Sequence, residues 1–206
     1  DSPNYLRAKI PRVAINQKSV ENGAAIITSS KNPVIWAGGG VHLSEASNEL
    51  LALAEYLQIP ILTTPEGKGS ISDQHYLSIG TPQSRSTGNS KDPLRDFFYT
   101  RDVILAVGTR FAYANPKPYQ QVVQIDVDPK EIGRNHKKTL SILGDARQVL
   151  SQLLEAIKTK TKVTCLLLLL FACTIMPVGI RKFLTKSTPP NPTHPNPTPP
   201  NPTPPN

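Results

Sequence analysis

The feature that most constrains this chain is a series of short apolar runs separated by segments of helical periodicity. The runs lie at residues 34–37, 59–63, 103–107, 122–127 and 141–143. Between the first two, Ala46, Leu50, Leu53, Ala54 and Leu57 form one apolar stripe at helical spacing. Strands that are apolar along most of their length occur in parallel sheets covered by helices on both faces. We therefore predict an α/β fold over residues 30–158, a doubly wound parallel sheet preceded by a linker and leading helix at 1–29.

Two side chains predict where helices begin. Ser44 precedes the apolar stripe and is followed directly by Glu45. Asp145 precedes the last apolar helix, and Gln148 follows it three residues later. Serine and aspartate are preferred N-cap residues because their oxygens accept a free amide of the first turn. We expect Ser44 and Asp145 to cap the two helices.

The C-terminal part of the chain differs from the rest in composition. Residues 159–206 contain no acidic residue, residues 163–180 are uncharged, and residues 187–206 form a Pro-rich five-residue repeat. An 18-residue helix is about 27 Å long, short of the roughly 30 Å core of a bilayer. We predict a non-globular tail, with a basic-flanked apolar segment at 159–186 and a disordered repeat at 187–206. Residues 163–180 should be helical, and anchoring of this helix in a membrane is the less favoured alternative.

Charge and cysteine content narrow the function classes. Of the net charge of +8, the tail supplies +5 (five basic and no acidic residues), which argues against a nucleic-acid-binding surface on the body. The only cysteines, Cys165 and Cys173, lie in the tail, and no pair of histidines has metal-ligand spacing. The N-terminus shows no signal-peptide pattern, so we expect a cytoplasmic protein.

Candidate binding residues stand where the predicted strands end. These positions carry glycine, hydroxyl and carboxylate groups: Gly38, Gly39, Gly40, Thr63, Gly108, Asp126 and Asp145. Ligands of open parallel sheets bind beyond the carboxyl ends of the strands, where glycine amides suit a phosphate and a carboxylate suits a ribose. Glycines that only form tight turns are an equal alternative. A dinucleotide fingerprint is absent, since Leu43 stands where a third glycine is needed.

The order of the motifs is more specific than any one of them. PVIWAGGGV, IPILTTPEGKGSISDQHYLSIG, DVILAVGTRF, QVVQIDVDPKEIGRN and GDARQVLSQLLEAI follow one another. In this order they resemble the central domain of thiamine-diphosphate enzymes, and most closely the acetolactate synthase-like branch. The resemblance implies a six-stranded Rossmann-like sheet that binds FAD, ADP or no ligand. It assigns nucleotide contacts to Gly38, Gly39, Gly40, Thr63, Gly108, Arg110, Asp126 and Asp145.

The resemblance also implies what the chain lacks. In this family, thiamine diphosphate and Mg²⁺ are held by an N-terminal and a C-terminal domain, neither of which matches a motif here. We therefore expect no catalytic residue and no metal site in this chain, and other domains or subunits as partners. Three functions stay open: a fragment of a carboligase or decarboxylase that is inactive alone, a stand-alone FAD- or ADP-binding module, and a single-pass membrane protein with an α/β head.

Overall fold

The computed structural model describes residues 14–82, 92–112 and 115–175, with side chains up to residue 161. Six strands form one sheet, all pairs parallel, in the order β3-β2-β1-β4-β5-β6. The strands are β1 (Pro33–Ala37), β2 (Ile61–Thr63), β3 (Ser78–Gly80), β4 (Val103–Val107), β5 (Gln121–Asp126) and β6 (Thr139–Leu143). The helices are α1 (Gln17–Ser29), α2 (Gly40–Leu43), α3 (Ser47–Leu57), α4 (Pro93–Tyr99) and α5 (Ala146–Ile175).

The strand order confirms the predicted doubly wound, Rossmann-like sheet. The order reverses between β1 and β4, and ligands of open α/β sheets bind at such a switch point. Strand β3 was not among the strands predicted from apolar runs. It is a three-residue edge strand whose residues are all half-exposed, so the sequence around it carries no apolar signal.

Two apolar layers cover the sheet. On one face, side chains of α1, α3 and α5, among them Val20, Leu50 and Leu153, pack on alternate residues of the central strands. On the other face, Trp36 packs against Phe98 of α4 with the ring centroids 4.9 Å apart. Helix α1 therefore shares the core of the sheet.

The capping predictions have opposite outcomes. The amide of Gln148 donates to Asp145 Oδ1 at 3.3 Å, so Asp145 caps α5 as predicted. Ser44 does not cap α3, which begins at Ser47. Ser44 instead follows the short helix α2, and its hydroxyl donates to the Gly40 carbonyl oxygen at 2.6 Å. The backbone then turns at Glu45, whose φ of 52° lies in the left-handed region, so α3 cannot begin there.

The chain divides into two units, residues 1–162 and 163–206. Helix α5 continues to Ile175, so the helix predicted for 163–180 is confirmed up to residue 175. The rest of that segment and the repeat at 187–206 lie outside the described residues. Among the helices that are described, none is both long enough and apolar enough to cross a membrane.

Candidate functional site

The predicted site residues lie along one edge of the sheet, where the parallel strands end. Backbone hydrogen bonds beyond these carboxyl ends join each strand's last residues to the segment that follows its neighbour. The amide of Thr64 donates to Ala37 O (2.8 Å) and that of Gly38 to Val107 O (2.8 Å). Further along, the amide of Gly108 donates to Ile125 O (2.9 Å) and that of Gly144 to Asp126 O (2.9 Å). The ends of β2, β1, β4, β5 and β6 thus follow one another in a row.

At the switch point, the turn after β1 (residues 38–40, the β1 loop) packs backbone to backbone on the turn after β4 (residues 108–112, the β4 loop). The amide of Gly40 donates to Gly108 O at 3.1 Å. A Cβ on Gly38 would overlap Gly108 O and lie 2.7 Å from Thr109 Cβ, and a Cβ on Gly40 would lie 2.5 Å from Gly108 Cα. The close approach of the two loops therefore requires these glycines, and the amides of Gly38 and Gly40 already donate to backbone oxygens.

Thr63 closes β2 with a hydroxyl that already has a protein partner. Its Oγ1 lies 2.6 Å from the hydroxyl of Thr81, and the side chain is buried. The next residue, Thr64, accepts the amide of Gly67 at 3.0 Å and so forms the turn that carries Lys68. The Lys68 carbonyl in turn contacts His42 Nε2 at 3.1 Å, so the loops after β1 and β2 are also joined.

Arg110 is the exposed cation of the β4 loop. It stands between Gly108 (φ 56°) and Phe111 (φ 55°), two residues in left-handed conformation. Phe111 is buried and anchors the loop on the α4 side of the sheet, whereas Arg110 is exposed. The turn therefore presents the Arg110 side chain at the surface beside the switch point.

Asp126 ends β5 as a half-buried carboxylate. Burial raises the pKa of Asp126 above its usual value, and the negative charges of Glu131 and Asp128 add to this rise. The backbone amides of Val127 and Asp128 oppose it, the latter by donating to Oδ1 at 3.0 Å. A carboxylate kept in such a place is a candidate for binding, because perturbed groups concentrate at functional sites.

Asp145 lines a cavity that the sequence did not indicate. The cavity has a volume of about 570 Å³, and mainly polar residues surround it: Leu43, Ser44, Glu45, Asp145, Arg147, Gln148, Ser151 and Gln152. Arg147 Nε pairs with Glu49 Oε1 at 2.9 Å and ties α5 to α3 beside it. No local signal could have found this cavity, since Glu49 and Arg147 are 98 positions apart.

The described residues contain no group of three or more histidine, cysteine, aspartate or glutamate side chains that could hold a metal ion. The carboxylates at the edge of the sheet, such as Asp126 and Asp145, serve as backbone hydrogen-bond acceptors instead.

Comparison with known proteins identifies relatives of this architecture. The family described as "Thiamine pyrophosphate enzyme, central domain" matches residues 20–153. A protein of Methanocaldococcus jannaschii named "Probable acetolactate synthase large subunit" is 36% identical over 165 residues, which cover 76% of this chain and 26% of that protein. The acetolactate synthase large subunit of Corynebacterium glutamicum is 33% identical over 167 residues, 77% of this chain and 25% of the relative.

A solved structure resembles this chain in fold. Benzoylformate decarboxylase from Polynucleobacter necessarius superimposes with a TM-score of 0.61 at 22% identity, covering 74% of this chain and 29% of that one. At this identity the likeness concerns the fold alone. The chain spans about a quarter of the length of the curated relatives it matches.

Proposed function

This chain belongs to the family of thiamine pyrophosphate enzyme central domains, and from that premise we propose that it is the central part of a larger carboligase or decarboxylase acting on 2-oxo acids. The observation that carries the proposal is the family match over residues 20–153, together with relatives named as acetolactate synthase large subunits. The proposal assigns catalysis to domains or subunits outside this chain. The expected cytoplasmic location and the domain boundaries stay predictions.

The residues described here do not fit thiamine diphosphate and Mg²⁺. Mg²⁺ at a diphosphate takes carboxylate oxygens as ligands, whereas the carboxylates at this edge of the sheet, Asp126 and Asp145, each accept a backbone amide. Nowhere in the described residues do three or more histidine, cysteine, aspartate or glutamate side chains form a group that could hold a metal ion. We therefore assign both groups to the other parts of the enzyme.

For this domain we propose a nucleotide, FAD or ADP, along the carboxyl edge of the sheet. The ribose would lie at Asp126, the phosphates at the β1 loop and the Arg110 guanidinium, and the adenine side near Asp145. The exposed cation of Arg110 and the half-buried carboxylate of Asp126 support this placement. Because the amides of Gly38 and Gly40 donate within the chain, Arg110 carries most of the anion contact in this proposal.

A domain exchange tests the main proposal. The central domain of the Corynebacterium glutamicum acetolactate synthase large subunit is replaced by residues 14–161 of this chain. We expect the chimera to form acetolactate from pyruvate with thiamine diphosphate and Mg²⁺, and this chain alone to form neither acetolactate nor acetaldehyde. A chimera carrying Gly108→Val is the control, because that side chain would overlap the β1 loop. A folded chimera without activity, or turnover by the isolated chain, contradicts the proposal.

Calorimetric titration of the whole chain with FAD and with ADP tests the nucleotide site. We expect Asp126→Asn to weaken binding at least tenfold, about 1.4 kcal/mol. Asp128→Asn is the matched control, since Asp128 is an exposed carboxylate two residues away that also accepts a backbone amide. Equal affinities of the two variants would place the ligand elsewhere. Nucleotide binding together with an inactive chimera would favour a stand-alone binding module.

A further inference from the structure

Gln124 is a polar residue inside the sheet. It stands in the middle of β5, between Val123 and Ile125, and only 2% of its surface is exposed. A buried amide is destabilising unless its hydrogen bonds are made. Its Nε2 donates to the carbonyl oxygens of Thr109 (3.3 Å) and Glu131 (3.1 Å), and its Oε1 accepts the amide of Gly133 (3.0 Å).

These three bonds join two loops at the carboxyl edge. Thr109 belongs to the β4 loop, whereas Glu131 and Gly133 belong to the loop after β5 (residues 127–138, the β5 loop). A fourth bond joins the same loops, since Asn135 Nδ2 donates to the carbonyl oxygen of Arg110 at 2.6 Å. The peptide groups on both sides of the Arg110 Cα are therefore held by the β5 loop and by Gln124.

The β4 loop needs such support. A left-handed residue other than glycine is disfavoured by about 1–2 kcal/mol, and Phe111 is such a residue. A conformation of this kind persists only where surrounding contacts hold it. The contacts that hold it here include the buried Phe111 ring, the bond from the Phe111 amide to Thr109 Oγ1 (3.4 Å) and the bonds from Gln124 and Asn135.

We infer that Gln124, assisted by Asn135, is the positioning residue that fixes the backbone on both sides of Arg110 and so presents its exposed side chain at the switch point to an anionic ligand, the diphosphate of a nucleotide. This inference rests on the proposed function. Gln124 and Asp126 lie two residues apart on β5. Gln124 binds the β4 loop, which carries Arg110, and Asp126 ends the strand at the carboxyl edge of the sheet. One strand therefore connects the two charged residues of the proposed site.

The chain supplies a matched control in Gln120. This side chain is also fully buried, and it makes the same set of bonds, donating to Phe98 O (2.8 Å) and Arg101 O (2.9 Å) and accepting the Lys117 amide (2.8 Å). It lies just before β5, however, and joins segments at the opposite edge of the sheet. Gln124→Met and Gln120→Met remove equal numbers of hydrogen bonds from equally buried amides.

The experiment compares these two variants in the whole chain by urea denaturation, by amide hydrogen exchange of residues 108–112, and by titration with ADP. We expect both to lose stability, but only Gln124→Met to speed exchange in the β4 loop at least tenfold and to weaken ADP binding at least tenfold. Equal exchange in the two variants overturns the inference. So does faster exchange with unchanged ADP affinity, because Arg110 would then not depend on Gln124 for its position.

A second pair of variants covers the case in which Gln124→Met does not fold. Asn135 is exposed, so Asn135→Ala leaves the core intact while removing the bond to Arg110. Gln121→Ala is its control, since that side chain donates to Lys138 O at 3.1 Å, at the other end of the β5 loop. We expect faster exchange in the β4 loop only for Asn135→Ala. If the unmodified chain binds no ADP, the proposed nucleotide site fails, and the exchange comparison alone decides whether the β5 strand and loop order Arg110.

Discussion

Alanine substitutions at three glycines, two at the switch point and one in the β5 loop, separate the two physical reasons for a glycine: close packing and a left-handed backbone. A Cβ on Gly38 would meet Gly108 O and Thr109 Cβ, although its backbone is not left-handed. A Cβ on Gly133 would meet nothing within 4 Å, but φ there is 71°. Gly108 combines both conditions, with φ at 56° and an added Cβ that would overlap Gly40 Cα.

The expected destabilisation follows from these contacts. A left-handed alanine costs about 1 kcal/mol, which is the whole effect expected of Gly133→Ala. Overpacking costs about 1–3 kcal/mol, and Gly38→Ala should reach the upper half of that range because the facing carbonyl of Gly108 is backbone and cannot rotate away. Gly108→Ala adds the two effects and should lose about 3–4 kcal/mol, on the same two principles.

Urea denaturation followed by tryptophan fluorescence measures these differences. Trp36 is the only tryptophan of the chain and is completely buried, so its emission reports loss of the core. The urea concentration at the unfolding midpoint should be highest for Gly133→Ala, lower for Gly38→Ala and lowest for Gly108→Ala, with unchanged m-values. If all three variants are equally stable, the β1 and β4 loops have room for side chains. The reasoning that packing requires their glycines is then refuted, and a role in ligand contact becomes the better explanation.

Two further predictions concern pH and the carboxylates. Burial by itself raises the pKa of Asp102, but hydrogen bonds from the Ser30 hydroxyl and from the backbone amides of residues 31–32 outweigh it and hold that pKa below the usual value. Asp102→Asn should therefore lower the free energy of unfolding at pH 7, and the difference from the unmodified chain should shrink as the pH falls below about 4 and vanish below the lowered pKa of Asp102. The ionised carboxylate of Asp126 should have the opposite effect on the free energy of unfolding. Burial raises its pKa, so the folded chain binds a proton there more tightly than the unfolded chain does. Asp126→Asn should raise the free energy of unfolding at pH 7, with the gain disappearing below about pH 4, as urea titrations across pH 3–8 would show.

The opposite signs at Asp102 and Asp126 bear on function. A carboxylate that costs stability at neutral pH is expected where binding requires it, whereas Asp102, just before β4, holds the connection between α1 and β1 through the amides of Lys31 and Asn32. A stability gain for Asp102→Asn, or a loss for Asp126→Asn at pH 7, would contradict this division.

Much of the fold could be predicted from the chain because the signals are local. A run such as residues 103–107 is apolar at every position, and the stripe through Leu50 and Leu53 has helical spacing, so strand and helix follow from side-chain periodicity alone. The N-cap at Asp145 is likewise decided within four residues. Ser44 shows the limit of such reasoning, because a serine before an apolar stripe caps a helix only if the backbone enters the helix there, and Glu45 turns it away.

The sequence by itself therefore determined the parallel α/β architecture and the row of glycine, threonine and aspartate residues at the ends of its strands. Only the tertiary structure decided what those residues meet: the glycines of the β1 and β4 loops touch each other, Thr63 bonds Thr81, and Gln124 joins two loops. The cavity beside the Arg147–Glu49 ion pair is likewise visible only in the tertiary structure. The physical reason is distance along the chain. Periodicity and capping act over a few residues, whereas these contacts join segments that only the strand order brings together. The residues next to a buried amide or a glycine in the chain do not indicate which distant residue it will contact.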